Sequence, residues 1–188
     1  MSEKWEAFRR EISVIQDLEL REFVKTVLNS APEYFWRIAA SASGQHHPAD
    51  DLGTGGLVHH TKKVVYFVKE FCVAMELESE KDCLVAAAIL HDVYKYGDSI
   101  HKKQTEEQWL NHGGLVKWLV EQDVYKLPIE EVFQGEILKK VQKVLRLVAT
   151  HFGIWGLPEN KPKTREEWLV HLADYVASRK LVTITEGL

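Results

Sequence analysis

Six ionisable side chains occupy positions that helical periodicity assigns to a protein interior: His60, His91, Asp92, His112, His151 and Asp174. In the segment opening at Leu57, the apolar stripe Val64, Val68, Phe71 and Met75 steps back four residues to His60. His59 is turned about 100° off that face. Leu84, Ala87 and Ala88 lead on to the adjacent pair His91 and Asp92, with Lys95 one turn later. Ile137, Val141, Val144 and Val148 lead to His151, and Leu119, Val116 and Leu115 step back to His112. Asp174 lies among Val170, His171, Ala177 and Ser178.

A lone charge on such a face is very costly, so the economical reading is that these residues meet around a shared cation. Imidazole nitrogen with carboxylate oxygen suits divalent Mn, Fe, Ni, Co or Zn better than Mg. His60, His91, Asp92 and Asp174 would fill four positions of one ion and leave others open for water or substrate. His112 and His151 are placed to hold a second ion, with Asp92 as the bridge, so one or two ions are expected.

The elements that must carry these residues are helical. Trp5, Phe8, Ile12, Ile15, Leu18, Phe23, Val27 and Leu28 recur at mostly three- and four-residue steps, giving one or two helices before Ser30. Ser30-Ala31-Pro32-Glu33 has the form of a capping box and predicts a helix to about Ala42. A Gly-, Asp- and His-rich loop follows to Gly56. Helices are expected from Leu57 to about Met75, from Lys81 to about Lys95, from Thr105 to about Gln122, from Glu136 to about His151, and from a cap at Thr164 to about Lys180, with a shorter segment opening at Pro128. Gly153 to Pro162 reads as a loop. Val182–Thr185 has strand propensity but is short. The expected fold is all-α: a single bundle of about seven to nine helices over residues 1–188, with residues 1–30 as a helical extension and 35–179 as the core.

Composition narrows the function classes. The chain has 188 residues and a formal net charge of -4, unlike a protein that coats nucleic acid by electrostatics. The N-terminus lacks the apolar run of a secretory signal, and no run approaches a membrane span, so a cytoplasmic protein is expected. Cys72 and Cys83 have no metal-type spacing and read as buried small hydrophobes. Tryptophans read mainly as core. Trp5, Phe8 and Ile12 either pack internally or form a homodimer face.

These residues resemble the HD-domain superfamily of metal phosphohydrolases, in particular the HD domain of bacterial 3′–5′ exoribonucleases. The segment from Gly55 to Thr61 is similar to their Gly-Gly-Leu-Leu-Glu-His-Thr, and His46-His47 to a paired His upstream. Ala88 to Lys95 is similar to their Leu-Leu-His-Asp-Ile-Gly-Lys. Asn111-His112-Gly113 stands where they have Gly-His-Ile. His151 to Pro158 resembles their His-His-Gly-Glu-Trp-Gly-Ser-Pro, Pro162-Lys163-Thr164 their Pro-Lys-Thr, and His171 to Asp174 their His-Tyr-Ala-Asp. The pattern departs at Tyr94, which replaces a Gly, and at Phe152, which replaces the second His. No segment is patterned as the OB-fold those enzymes carry.

The resemblance implies hydrolysis of a phosphomonoester or phosphodiester, with water activated by the metal. Asp92 would ligate and orient or deprotonate that water, and Lys95 would contact phosphate. His47 would line the pocket. Lys163 either orients substrate or merely precedes a helix. His171, Trp155 and Arg179 read as core or rim. A nucleotide or short oligonucleotide suits the small, acidic chain. Two rivals stand beside this reading: a di-iron oxygenase on the same scaffold, which six ligands would permit, and a non-catalytic metal- or nucleotide-binding module.

Overall fold

The stretch Cys83–Leu90 is apolar at every position, and a helix without a polar face belongs inside. The computed structural model, which describes residues 3–97, 113–114, 133–182 and 184, places it there. The α-helices among the described residues are α1 (Arg9–Val14), α2 (Leu18–Ser30), α3 (Gly56–Ala74), α4 (Lys81–Leu90), α5 (Gly135–Thr150) and α6 (Arg165–Ala177). These six compare with the seven to nine expected of the whole chain. No strand occurs among the described residues, Val182 and Ile184 included. No described helix is long and apolar enough to cross a membrane. The helix expected from Thr105, the segment after Pro128, and His112 lie outside the described residues.

Helix α4 packs against α1, α2, α3, α5 and α6, and every side chain from Cys83 to Leu90 is buried. Helices α3 and α6 pack along each other, and α5 lies against α4 and α6. Burial pushes the Cys72 and Cys83 thiols up to about 11, which keeps them protonated and inert. The N-terminal helices are tied to this core by charge as well as by packing. The Asp82 carboxylate accepts from the Gln16 and Asp17 backbone N–H groups at 2.9 and 2.8 Å. Asp17 caps α2 by accepting from Leu20 N–H and pairs with Lys140 of α5 at 2.6 Å. Phe8 and Ile12 are buried within the chain and Trp5 is partly buried against the same core, so these side chains pack internally.

Two expected helices end differently. No helix runs from Ser30 to Ala42. Ser30 closes α2 and bonds its hydroxyl back to Val27 C=O at 2.8 Å, and only a 3₁₀ turn at Glu33–Trp36 follows. Beyond it the backbone is committed to the 51–57 loop: Ala40 N–H donates to Asp51 C=O, Gly55 N–H to Arg37 C=O, and Leu57 N–H to Ile38 C=O. A helical ladder through residues 37–40 would break those bonds. Helix α4, expected to reach Lys95, stops at Leu90, and residues 91–97 form successive turns with bonds from Val93, Lys95 and Gly97 N–H to the carbonyls three residues back. Tyr94 anchors these turns. Its ring is buried and its hydroxyl lies 3.0 Å from Ser30 Oγ, which gives a physical reason for a bulky residue where the resembling family has Gly. The reading of tryptophans as core also needs correction, since Trp155 and Trp168 are exposed.

The Thr164 cap is present: its hydroxyl accepts from Glu167 N–H at 3.3 Å. Glu167 in turn receives the Lys163 N–H and pairs with Arg146 at 2.8 Å, holding the 153–163 connection against α5.

Leu84 is fully buried at the centre of these contacts. Leu84→Ala is expected to lower the unfolding free energy by about 2–5 kcal/mol in a urea titration. Val73→Ala, at an exposed position, should cost about 0.5 kcal/mol or less.

Candidate metal centre

Helix ends bring the site together. His60 sits one turn into α3, whose start requires Gly56: a Cβ there would lie 2.0 Å from Asp51 C=O. His91 and Asp92 occupy the first turn beyond α4, not its last turn. His151 follows the end of α5 directly, and Asp174 lies near the end of α6. His60 Nε2 is 2.9 Å from Asp174 Oδ1, and His91 Nε2 is 3.8 Å from the same oxygen. His91 Nε2 is also 3.6 Å from Asp92 Oδ2, and His151 Nε2 is 3.6 Å from Asp92 Oδ1. The rings form a chain, His60 to His91 at 5.5 Å and His91 to His151 at 5.0 Å between centroids.

Backbone carbonyls set the tautomers. His91 Nδ1 lies 2.8 Å from Ala88 C=O, and His151 Nδ1 lies 2.7 Å from Val148 C=O. A carbonyl only accepts, so each Nδ1 donates and Nε2 is the nitrogen turned toward the carboxylates. His91 Nε2 is buried without a hydrogen-bond partner. Burial lowers the pKa of His91 against the opposing pull of Asp92 and Asp174, so the ring is neutral, as a ligand must be. Burial alone would raise the Asp174 carboxyl, but the hydrogen bond from His60 outweighs it and holds the group well below the usual range. Ligand atoms of His60, His91 and Asp174 all lie within 4.8 Å of one another. The neutral His91 imidazole with its orphaned buried nitrogen, the His60 ring and the ionised Asp174 carboxylate are a donor set that a divalent cation would complete.

Lys95 Nζ donates to Asp92 Oδ2 at 2.7 Å in a buried setting. Burial would lower its pKa, but Asp92 and Asp174 outweigh that and raise it, so the ammonium persists. The cluster opens into a cavity of about 660 Å³ whose wall includes His46, His47, His60, Asp92, Lys95 and Asp174. Lys163 is exposed on the loop before α6 and is absent from that wall. Phe152 lines the cavity with its ring centroid 6.5 Å from that of His151. His112 lies outside the described residues, and its neighbour Gly113 packs so closely on α5 that a Cβ would lie 2.4 Å from Val148 C=O.

A second layer behind the cluster escaped sequence reasoning. Asp51 is fully buried and accepts from Lys63 Nζ at 2.6 Å; His59 Nδ1 and His47 Nδ1 lie 2.8 and 3.3 Å from its oxygens. Lys63 also donates to Ala177 C=O at 3.0 Å, joining α3 to α6. Burial would raise the Asp51 carboxyl, but His47, Lys63 and His59 bring it down to about 2. His60 Nδ1 has no hydrogen-bond partner and points toward Asp51 Oδ2 at 3.8 Å. Asp51 is therefore placed to fix the His60 ring, as carboxylates behind metal-ligating histidines commonly do. His47, Asp51 and His60 form a second group with suitable spacing, but the Lys63 ammonium already neutralises its carboxylate. In the sequence nothing separates Asp51 from Asp50. The available signal was Lys63, a cation one turn from His60 beside the apolar stripe.

A family model described as the HD domain matches residues 57–179. A curated relative, dihydroneopterin 2′,3′-cyclic phosphate phosphodiesterase of Methanocaldococcus jannaschii, is 26% identical over 129 residues, covering 66% of this chain and 47% of the relative. The chain thus spans about half the length of that relative. No solved structure matches.

The Asp51 network makes a pH prediction. Its carboxyl is depressed in the folded state to about 2 from an ordinary 3.8, so its stabilisation is full above about pH 4 and is lost as pH falls through about 2. Between pH 5 and pH 2 the wild type should lose about 2 kcal/mol more stability than an Asp51→Asn/Lys63→Met double variant. Parallel slopes in denaturant titrations of the two proteins would contradict this.

Proposed function

The chain belongs to the HD-domain family, and from that premise we propose that it is a metal-dependent phosphohydrolase acting on a phosphomonoester or phosphodiester of a small molecule. The observation that carries the reading is the convergence of His60, His91 and Asp174 within ligating distance, beside Asp92 and the Lys95 ammonium, at one end of a cavity sized for a small ligand. A nucleotide is the substrate class we favour. The relative named for a 2′,3′-cyclic phosphate supports a cyclic phosphodiester as one form of it. Water would add across a P–O bond, opening a cyclic diester to a monoester.

His60, His91, Asp92 and Asp174 would hold a divalent transition metal, with His151 turned toward the far oxygen of Asp92. Such an ion, when bound, lowers the pKa of water and polarises phosphoryl oxygens. The protein supplies the rest. His91 and His151 are locked by backbone carbonyls with Nε2 facing inward, so no reorientation precedes binding. Lys95 places a persistent positive charge in the cavity wall, where charge builds on phosphoryl oxygens during transfer. Asp92, which contacts both Lys95 and His151, would orient or deprotonate the attacking water.

Elemental analysis of untagged protein purified without chelator should find about one or two transition-metal ions per chain. Bis(p-nitrophenyl) phosphate should be hydrolysed, with turnover lost in Asp92→Ala and reduced roughly 10²-fold in Lys95→Gln. Protein that takes up no metal even after incubation with Mn, Ni or Fe would refute the reading. Metal without turnover would favour an oxygenase or a binding module.

A further inference from the structure

The metal cluster occupies only part of the cavity, and the rest of the wall has a chemistry of its own. Trp155 and Tyr175 both line it, yet remain 50% and 38% exposed. Their rings stack at 5.7 Å between centroids and 21° between planes. The Arg179 guanidinium lies 4.2 Å from the centre of the Tyr175 ring. It is held there by Nε donating to Tyr175 C=O at 3.1 Å and Nη2 donating to Ser178 Oγ at 2.8 Å. The guanidinium and the indole thus both pack on the phenol, giving this part of the wall three adjoining flat groups.

The stack is built rather than incidental. Trp155 ends a 3₁₀ turn opened by Gly153, which has a φ of +67° and approaches the His171 ring so closely that a Cβ would lie 2.1 Å from it. His171 Nδ1 donates to His151 C=O at 2.9 Å, and the Trp155 ring meets His171 edge-on at 5.4 Å. The same imidazole therefore braces both the His151 backbone and the indole. Tyr175 follows Asp174 directly in α6, so the aromatic wall begins one residue from a proposed ligand. Residues 40–43, also in the cavity wall, read Ala-Ser-Ala-Ser, and such short side chains leave width beside the rings. Ile154, Trp168 and Leu172 are exposed as well, but they do not line the cavity and are no part of this wall.

We infer that Trp155, Tyr175 and Arg179 form a stacking subsite for a planar heteroaromatic ring carried by the phosphorylated substrate, with the phosphate lying toward Lys95. The inference rests on the phosphohydrolase reading for the position of the phosphate, and adds which part of the ligand confers selectivity. An aliphatic phosphate ester would leave the indole wet. A nucleobase or comparable flat ring would cover it, and rings stack on such platforms whatever their hydrogen-bonding edges.

The test compares two probes that share a sugar phosphate and differ in the ring: AMP and ribose 5-phosphate, titrated calorimetrically into the full chain. Wild type should bind AMP about tenfold more tightly or better. Trp155→Leu should bring that ratio close to one, and Trp155→Phe, which keeps a ring, should preserve most of it. Equal affinities in wild type, or a preference that survives Trp155→Leu, would overturn the subsite. A Trp155-dependent preference without turnover of any phosphate ester would sustain the subsite and remove the hydrolase reading. Turnover without the preference would do the reverse.

Discussion

The structure depends on how a histidine and an aspartate can be kept at the end of a helix that is apolar on every side. Helix α4 runs through the middle of the bundle, and His91 and Asp92 leave its end already desolvated. Burying an ionised carboxylate there is tolerable only with opposite charge close by. Lys95 supplies it within the same turn, at 2.7 Å. His60, His151 and Asp174 then converge on the pair from three other parts of the fold. The apolar core and the polar cluster are two consequences of one element: because α4 is central, what lies at its end is within reach of α3, α5 and α6.

The cluster is organised in layers. His91 and His151 are oriented by main-chain carbonyls, which can only accept, so the backbone determines that Nε2 is the nitrogen turned inward. Behind His60 stands Asp51, held ionised by Lys63 and two further histidines. Lys63 reaches past the carboxylate to the end of α6, so the same ammonium that neutralises Asp51 joins the two helices that contribute His60 and Asp174. Electrostatic support and helix registration are thereby carried by one side chain. His171 has a similar double use on the opposite side, between His151 and the Gly153–Trp155 turn.

The departures from the family pattern have local physical reasons. Tyr94 fills the space between the turns after α4 and the end of α2, so the N-terminal helices are docked beside the site. Phe152 turns an apolar ring to the cavity next to His151, which makes that wall drier than a second imidazole would.

Local sequence pattern was enough for the all-helical class, the boundaries of α3, α5 and α6 to within a few residues, and the inward faces of His60, His151 and Asp174. Those follow from local periodicity and capping, which need only near neighbours in the chain. It was also enough to place Lys95 beside Asp92, three residues away. Long-range packing was needed to show that α4 ends before His91, that residues 37–42 give up a helix to pair with the 51–57 loop, that Asp51 rather than Asp50 stands behind His60, and that the cavity is lined by Trp155, Tyr175 and Arg179 and not by Lys163. Each of these depends on a partner far along the chain: Ser30 for Tyr94, Lys63 for Asp51, His171 for Gly153. Periodicity reports which face of an element is buried, but not what it is buried against, and the chemistry of a site lies in the second.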